Sequence, residues 1–433
     1  MSETYTAAHT ESATDLYELR LNWLDETDIH AGAFEGVEDR LCSSIFHCAR
    51  ALRLDESENE SSQSEEKKEP TKEPDCFIFL ASHINSPTPT TRAAGYDLAY
   101  KWLAQDAAKS AAAEAALSLY PPTDNTALLK LYDEQEALRP TLFRLFRKQM
   151  QALPIAMVNT AATAEGSSDT LKIEALRYAA ANADIGLDIF RSHYAPLLSG
   201  KNQFDARIVE AAIWGGMLRN DPDATRAISI AITNTPSPKY RTQLLRLAAL
   251  TGAAEYLPLI LSAAETDPAS GYPLLVLFGQ KSVMPELLKA LENPRSMEAA
   301  ASAFNQLTDQ LLPRIPRLTV VGEEEADDEE GAQKIPDVKA ARAWWDKHQT
   351  GWKADERWLF GKPANAAHLA AMSKKYAGSF GHDLMALLAL AQKAPLNIPS
   401  EIWRARQQQL LADKTAAQPP AKSTVQPAKA RHA

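Results

Sequence analysis

The stretch Tyr256-Leu257-Pro258-Leu259-Ile260-Leu261-Ser262-Ala263-Ala264-Glu265 decides the fold, because it returns 27 residues later as Val283-Met284-Pro285-Glu286-Leu287-Leu288-Lys289-Ala290-Leu291-Glu292. Each copy sets a proline inside the first turn of a helix, continues as a leucine-rich stripe and closes on glutamate. Proline suits that turn because the first helical N–H groups have no intrahelical acceptor and φ is already near its helical value. Each copy then meets a turn, Asp267-Pro268 or Asn293-Pro294, and a second helical stretch. A single helical pair cannot bury both its faces, whereas stacked pairs share one continuous core. Taking Asp169, Asp205, Pro238 and Ala269 as equivalent starts gives steps of 36, 33 and 31 residues, the size of one helix–turn–helix unit. The expectation is therefore an array of such units; a non-repeating helical bundle is the alternative.

The rest of the chain reads the same way. Ile208, Ala212, Gly215 and Leu218 fall at helical spacing, as do Leu244, Leu247 and Ala248, and Ile173, Leu176 and Ala180. Such stripes mark helices with one buried face. Asp221-Pro222 and Pro236-Ser237-Pro238 punctuate further junctions, the residue before the proline being a suitable N-cap. Alternating β patterns are nearly absent. Phe77-Ile78-Phe79-Leu80 alone is too short to tell a strand from a buried helix. The pair Gly215-Gly216 inside a helical pattern predicts close approach of a neighbouring helix.

The chain has 433 residues, a formal net charge of −10 and 45% hydrophobic residues, which fits a soluble globular protein of two to four domains or one long array. No run of 18 apolar residues predicts a membrane span, and the first residues carry no signal-peptide pattern. Three cysteines, Cys42, Cys48 and Cys76, without CxxC spacing suit a reducing cytoplasm. The charge is localised. Residues 55–75 hold nine acids and three lysines, residues 323–330 hold seven acids, and the tail from Lys414 holds three lysines and one arginine. The remaining body is close to neutral, without the basic surplus that selects nucleic acid. The acidic runs read as solvated loops, or as docking strips for a basic partner. The expected organisation is an N-terminal helical region over 1–54, a disordered acidic insert over 55–75, the repeat array over 76–310, and an acidic linker over 311–339. A Trp-rich helical module over 340–412 and a disordered basic tail over 413–433 complete it.

The C-terminal region concentrates tryptophan: Trp344, Trp345, Trp352, Trp358 and Trp403. Trp344, His348 and Trp352 are four apart, with Gly351 a possible stop. Such a cluster predicts a core, or a cap on the open end of an array; an aromatic anchor for a partner is the alternative. Ala343-Trp344-Trp345 and Arg357-Trp358-Leu359-Phe360-Gly361-Lys362-Pro363 together resemble the A-W-W and R-Y-L-x-G-x-P motifs of a bacterial HEAT-like repeat family, itself of uncharacterised function, with Trp358 in the tyrosine position. Asp15-Leu16-Tyr17-Glu18-Leu19-Arg20 and Trp23-Leu24-Asp25-Glu26 resemble that family's opening helix. The resemblance covers roughly residues 15–412. It implies a HEAT-like α-solenoid and carries over no catalytic residue. Because relatives are often encoded near type VI secretion components, it also implies a role as the cytoplasmic companion of a secreted effector, either adaptor or immunity protein.

Catalytic signatures are absent from the sequence: no GxSxG, HExxH, GxxxxGK[ST] or GxGxxG occurs. Gly279-Gln280-Lys281-Ser282 imitates a phosphate loop but lacks the upstream glycine, and Gln280 interrupts the GK pair. Asp184 and Asp188, four apart, read as exposed acids. His348, His368 and His382 read as ordinary core or surface residues, since no HxxxH, HxxE or CxxC spacing supports a metal. No catalytic, cofactor-binding, metal or partner-binding residue is assigned. The expected function is a non-enzymatic protein-binding α-solenoid without cofactor, nucleic acid or membrane. Its inner helices would be the second of each pair, with Tyr256–Glu265 and Val283–Glu292 among them, and would line an open curved groove for the partner. That expectation excludes a convergence of ionisable side chains on an enclosed pocket. The alternative is an enzyme on HEAT-like repeats, a lyase or a metal-dependent hydroxylase, though the paired His-Glu dipeptides of the latter are missing from the sequence.

Overall fold

The computed structural model describes residues 2–27, 29–58, 70–200, 203–316, 334–392, 398–399 and 401–416. Among them the chain is almost entirely α-helical. It opens with α1 (Ser2–Asp25) and α2 (Ala31–Glu58), which pair. A long series follows: α3 (Glu73–Ile84), α4 (Pro89–Trp102), α5 (Ala107–Leu119), α6 (Thr126–Glu134), α7 (Arg139–Gln149), α8 (Ile155–Thr163), α9 (Asp169–Ala181) and α10 (Asp188–Leu198). It continues through α11 (Ala206–Met217), α12 (Pro222–Asn234), α13 (Pro238–Thr251), α14 (Leu257–Thr266), α15 (Pro268–Phe278), α16 (Met284–Ala290) and α17 (Met297–Thr308). The Phe77–Leu80 run thus lies within a helix, and its neighbours make it apolar enough to be buried there.

Helix starts follow local chemistry. Asp106, Ser168, Asp205 and Asp221 each accept a backbone N–H of the first turn on the side chain, satisfying one of the donors a helix leaves open. Proline occupies the first turn of α12, α13 and α15. The fourth predicted junction differs: after Asn293-Pro294 a turn intervenes, and α17 starts at Met297. Gly252 and Gly279 end α13 and α15 in the left-handed conformation, with φ of 66° and 60°.

The helices alternate between two layers. From α3 to α17, each odd-numbered helix touches the next odd one, so α3, α5, α7, α9, α11, α13, α15 and α17 form a continuous row. The predicted starts Asp169, Asp205, Pro238 and Ala269 fall at or within a residue of the beginnings of α9, α11, α13 and α15. Each even helix packs against one or both of its odd neighbours. Burial separates the two layers. In α15 the residues from Leu274 to Phe278 are all buried, whereas α14 buries Ile260 and Ala264 alone. Tyr256–Glu265 and Val283–Glu292 therefore belong to the less buried layer, contrary to expectation. They open the pairs α14–α15 and α16–α17, and the second member of each pair is the inner one. Where two helices touch most closely, glycine is required: a Cβ on Gly271 would collide with the backbone of Ala264, and one on Gly215 with the Phe190 ring. The Gly215-Gly216 expectation holds for this reason.

The remaining chain turns back along the helices, touching α16 and α17 first and α1 and α2 at its far end. It comprises β1 (Arg314–Pro316), β2 (Lys334–Pro336), α18 (Val338–His348), β3 (Trp358–Leu359), β4 (Lys362–Pro363), α19 (Ala366–Ser373), α20 (Gly378–Ala391) and α21 (Arg404–Ala416). β1 and β2 pair antiparallel, so the outer edges of the expected acidic linker are a short ladder. Residues 323–330 lie outside the described residues, as do 59–69 of the acidic insert and 417–433 of the basic tail. The insert's described edges are helical, since α2 continues to Glu58 and α3 begins at Glu73; α21 likewise continues past 412 into the expected tail. One hydrophobic core runs from Ala13 to Leu411. Each Leu, Ile or Phe fully withdrawn into it contributes about 1.5–3 kcal/mol.

Candidate functional site

The groove is expected along Tyr256–Glu265 and Val283–Glu292; the C-terminal segment instead packs against helices of the odd row. It is held there in three ways. At one end sits the Arg357–Pro363 motif, folded as a hairpin. Leu359 pairs with Lys362, and Phe360 and Gly361 turn the chain with φ of 48° and 68°. Positive φ at both central residues defines the two-residue turn that matches strand twist. Helix ends leave carbonyls without donors, and the hairpin supplies those donors. The Arg357 guanidinium donates to Ala249 O and Leu250 O of α13 at 3.1 and 2.8 Å, and to Phe278 O of α15 at 3.3 Å. Trp358 N donates to Gly279 O at 2.7 Å, while Phe360 N and Gly361 N donate to Gln306 O and Leu307 O of α17, both at 2.8 Å. One motif thus closes the ends of three consecutive inner helices. Burial without a carboxylate partner pushes Arg357 down to about 10.

Around this hairpin the tryptophans pack ring against ring. Trp352 stacks on Trp358 at 4.6 Å, Trp345 meets Trp352 edge-on at 5.3 Å, and Trp344 meets Phe304 of α17 edge-on at 5.6 Å. α18 ends at His348, ahead of Gly351, and His348 stacks on Trp344. Lys281 of the imitation phosphate loop donates to Gln349 O at 2.6 Å, so that stretch ties α15 to the C-terminal segment. Trp403 is apart from the other four.

The opposite end is a buried clasp on α1 and α2. Arg20 Nε donates to Glu38 Oε1 at 2.8 Å, Arg404 N donates to Glu38 Oε2 at 2.8 Å, and the Arg20 guanidinium lies 4.0 Å from the Trp403 ring centroid. Arg20, Glu38 and Arg404 are all buried. Burial raises the Glu38 carboxyl against the pull of Arg20 and Arg404.

Between the two ends, the inner row carries a ladder of charges from helix to helix. Glu114 of α5 takes Arg144 and Lys148 of α7 at 2.9 and 2.7 Å. Arg144 reaches Glu174 of α9 at 4.0 Å, Glu174 takes Arg177 at 3.3 Å, and Arg177 reaches Glu210 of α11 at 3.9 Å. The C-terminal segment joins this ladder through Arg246 of α13 with Asp383 and Arg147 of α7 with Glu401, each at 2.6 Å. Beneath those two ties lies a cleft of about 270 Å³, lined by residues that include Arg147, Arg177, Glu210, Trp214, Arg246 and His382. Ionisable side chains meet in this cleft, which is open rather than enclosed, and no motif announces it. The residues come from α7, α9, α11, α13 and α20, one or two per helix, and only the layer stacking brings them together.

The electrostatics of the cleft are set by burial. Burial raises the Glu210 carboxyl, with Arg177 and Arg246 opposing, and lowers His382 so that the imidazole is neutral near pH 7. Burial also raises Glu401, but Arg147, Lys148 and His382 outweigh it and hold the carboxyl at about 2. Arg147 Nε and His382 Nε2 are buried and have no hydrogen-bond partner among the described residues. Of the other residues singled out in the sequence, Asp184 lies in a turn and Asp188 opens α10, both exposed, and His368 bonds Leu359 O at 2.9 Å. Cys42, Cys48 and Cys76 are free thiols.

No protein-family model matches the chain, and neither a curated protein nor a solved structure does.

Proposed function

We propose that the chain is a HEAT-like α-solenoid that binds another protein without turnover, in the cytoplasm, as the adaptor or immunity protein of a type VI secretion effector. The serial contacts of the odd helices, each even one packed against an odd neighbour, support the solenoid. The inner face is taken by the chain itself, so a partner belongs on the outer layer. The observation that carries this is α14. Its Leu257-Pro258-Leu259-Ile260-Leu261 run is strongly apolar, yet Leu259 is 40% exposed. It borders a cleft of about 520 Å³ between α12, α13, α14 and α15, lined also by Ile232, Pro238, Leu245 and Leu274. A cleft with apolar walls and an exposed leucine at its rim fits an interaction site.

The test needs a toxic effector gene neighbouring this one, and the absence of any such neighbour already overturns the proposal. Co-expression that rescues cells from the effector's toxicity assigns immunity; loss of effector export on deletion of the gene assigns an adaptor. Leu259→Asp should abolish whichever phenotype is found while leaving the melting temperature in place. Neither phenotype, or a phenotype indifferent to Leu259→Asp, overturns the proposal.

A further inference from the structure

We propose that the cleft beneath α20 is a binding site for a small monocarboxylate with a flat apolar body, held by Arg147, Arg177 and His382 against the Trp214 indole. This stands on observations separate from the outer surface of α14 and does not depend on the scaffold proposal.

The first observation is a surplus of donors. Arg147 gives Nη2 to Glu401 at 2.6 Å, while its Nε, in a side chain 11% exposed, has no partner among the described residues; His382 Nε2, which can donate, is in the same position. Arg177 is held loosely, at 3.3 Å from Glu174 and 3.9 Å from Glu210, whereas Arg147 and Arg246 make contacts of 2.6 Å. Of the carboxylates at the cleft, Glu401 takes Arg147 and, just behind the lining, Asp383 takes Arg246, while Glu210 stands 3.9 Å from Arg177. A buried donor left without an acceptor costs about 1–3 kcal/mol. A carboxylate supplies two oxygens of the kind that guanidinium forks bind best.

Charge and shape narrow the choice. Glu401, Asp383, Glu174 and Glu210 stand beside the three guanidiniums, so a single added negative charge is opposed far less than a phosphate dianion. Trp214, Leu247 and Met385 form the apolar wall. The volume of about 270 Å³ fits a ligand of benzoate size, near the lower end of small-molecule sites.

The experiment titrates the full-length protein with sodium benzoate by calorimetry, at constant ionic strength. Saturable one-to-one binding is expected, weakened at least about tenfold by Arg177→Gln. Arg226→Gln, an exposed arginine on the outer layer, should bind as the unaltered chain does. Trp214→Leu should weaken benzoate more than acetate. A short peptide ending in phenylalanine distinguishes the source: tighter binding than benzoate assigns a chain terminus, weaker binding a free acid, and either supports the carboxylate. Inorganic phosphate should not displace benzoate. Absence of saturable binding up to about 10 mM, unchanged binding in folded Arg177→Gln, or displacement by equimolar phosphate overturns the proposal; a millimolar limit corresponds to about −4 kcal/mol.

Discussion

The C-terminal segment is attached to the same row of helices by two different kinds of chemistry. At the Arg357–Pro363 hairpin the partners are backbone carbonyls at helix ends and the surroundings are indole rings. At Asp383 and Glu401 the partners are guanidiniums over a polar cleft. The first kind is directional and does not titrate in the acid range. The second depends on ionised carboxylates and is screened by salt. The hairpin end is therefore built to be permanent and the charged middle to be responsive, although both lie on one continuous core.

The largest effect should come from the hairpin. Arg357→Met keeps the volume but leaves the ends of α13 and α15 without their donor. Removing the polar partner of several buried carbonyls should cost about 3–5 kcal/mol in chemical denaturation. A loss below about 1 kcal/mol would mean that water satisfies those carbonyls equally well, and the contrast between the two attachments would disappear. Gly361→Ala should follow, at about 1–3 kcal/mol. Its φ is 68°, and a Cβ there would lie 2.8 Å from Thr308 O. Phe360 tolerates a φ of 48° because its ring is stacked on Tyr376 at 4.9 Å and edge-on to Phe380 at 5.8 Å. Gly361 has no side chain with which to make such contacts.

The charged middle should show a smaller loss with a pH signature. Glu401 is held at about 2, below the value of about 4.3 for an unperturbed glutamate. A depressed carboxyl stabilises the fold fully above its unfolded value, and that contribution is lost as pH falls from there towards the folded one. Glu401→Gln should cost about 1–2 kcal/mol at pH 7, the pair being only partly buried, and should flatten the stability profile between about pH 5 and pH 2. The hairpin variants should shift that profile without changing its slope. Equal slopes in Glu401→Gln and the parent chain would contradict the assigned role of Arg147.

Sequence and structure agree where local rules decide. The stripes Ile173/Leu176/Ala180 and Leu244/Leu247/Ala248 are buried as expected, and the spacing of Asp169, Asp205, Pro238 and Ala269 marks successive helices of one layer. Agreement ends where a long-range choice is made. Which member of a pair faces inward cannot be read from α14, because its sequence is more apolar than its burial requires. The cleft was illegible for another reason. Arg147, Arg177, Glu210, Arg246 and His382 are each ordinary at their own positions, and they acquire a shared environment only when α20 folds back more than 130 residues after Arg246. The conspicuous motif, Arg357–Pro363, turned out to serve helix ends, whose unsatisfied carbonyls leave no mark in the side-chain pattern.

The smallest expected effect sets the floor of the comparison. Arg314 of β1 donates to Glu298 of α17 at 2.6 Å, as short a contact as Arg147 with Glu401, but both side chains are about half exposed. Water competes for each partner, and holding two long side chains together costs entropy, so such pairs contribute about 0–1 kcal/mol. Arg314→Ala should lower stability by no more than about 0.5 kcal/mol, a change that about 0.5 M salt should erase. Arg147→Ala should exceed it at every salt concentration, because Arg147 is 11% exposed and its loss takes the guanidinium from a partly buried carboxylate. If the two variants proved equal, distance rather than burial would rank the ties of this fold, and the responsive character assigned to the middle of the segment would have to be given to its surface pairs instead.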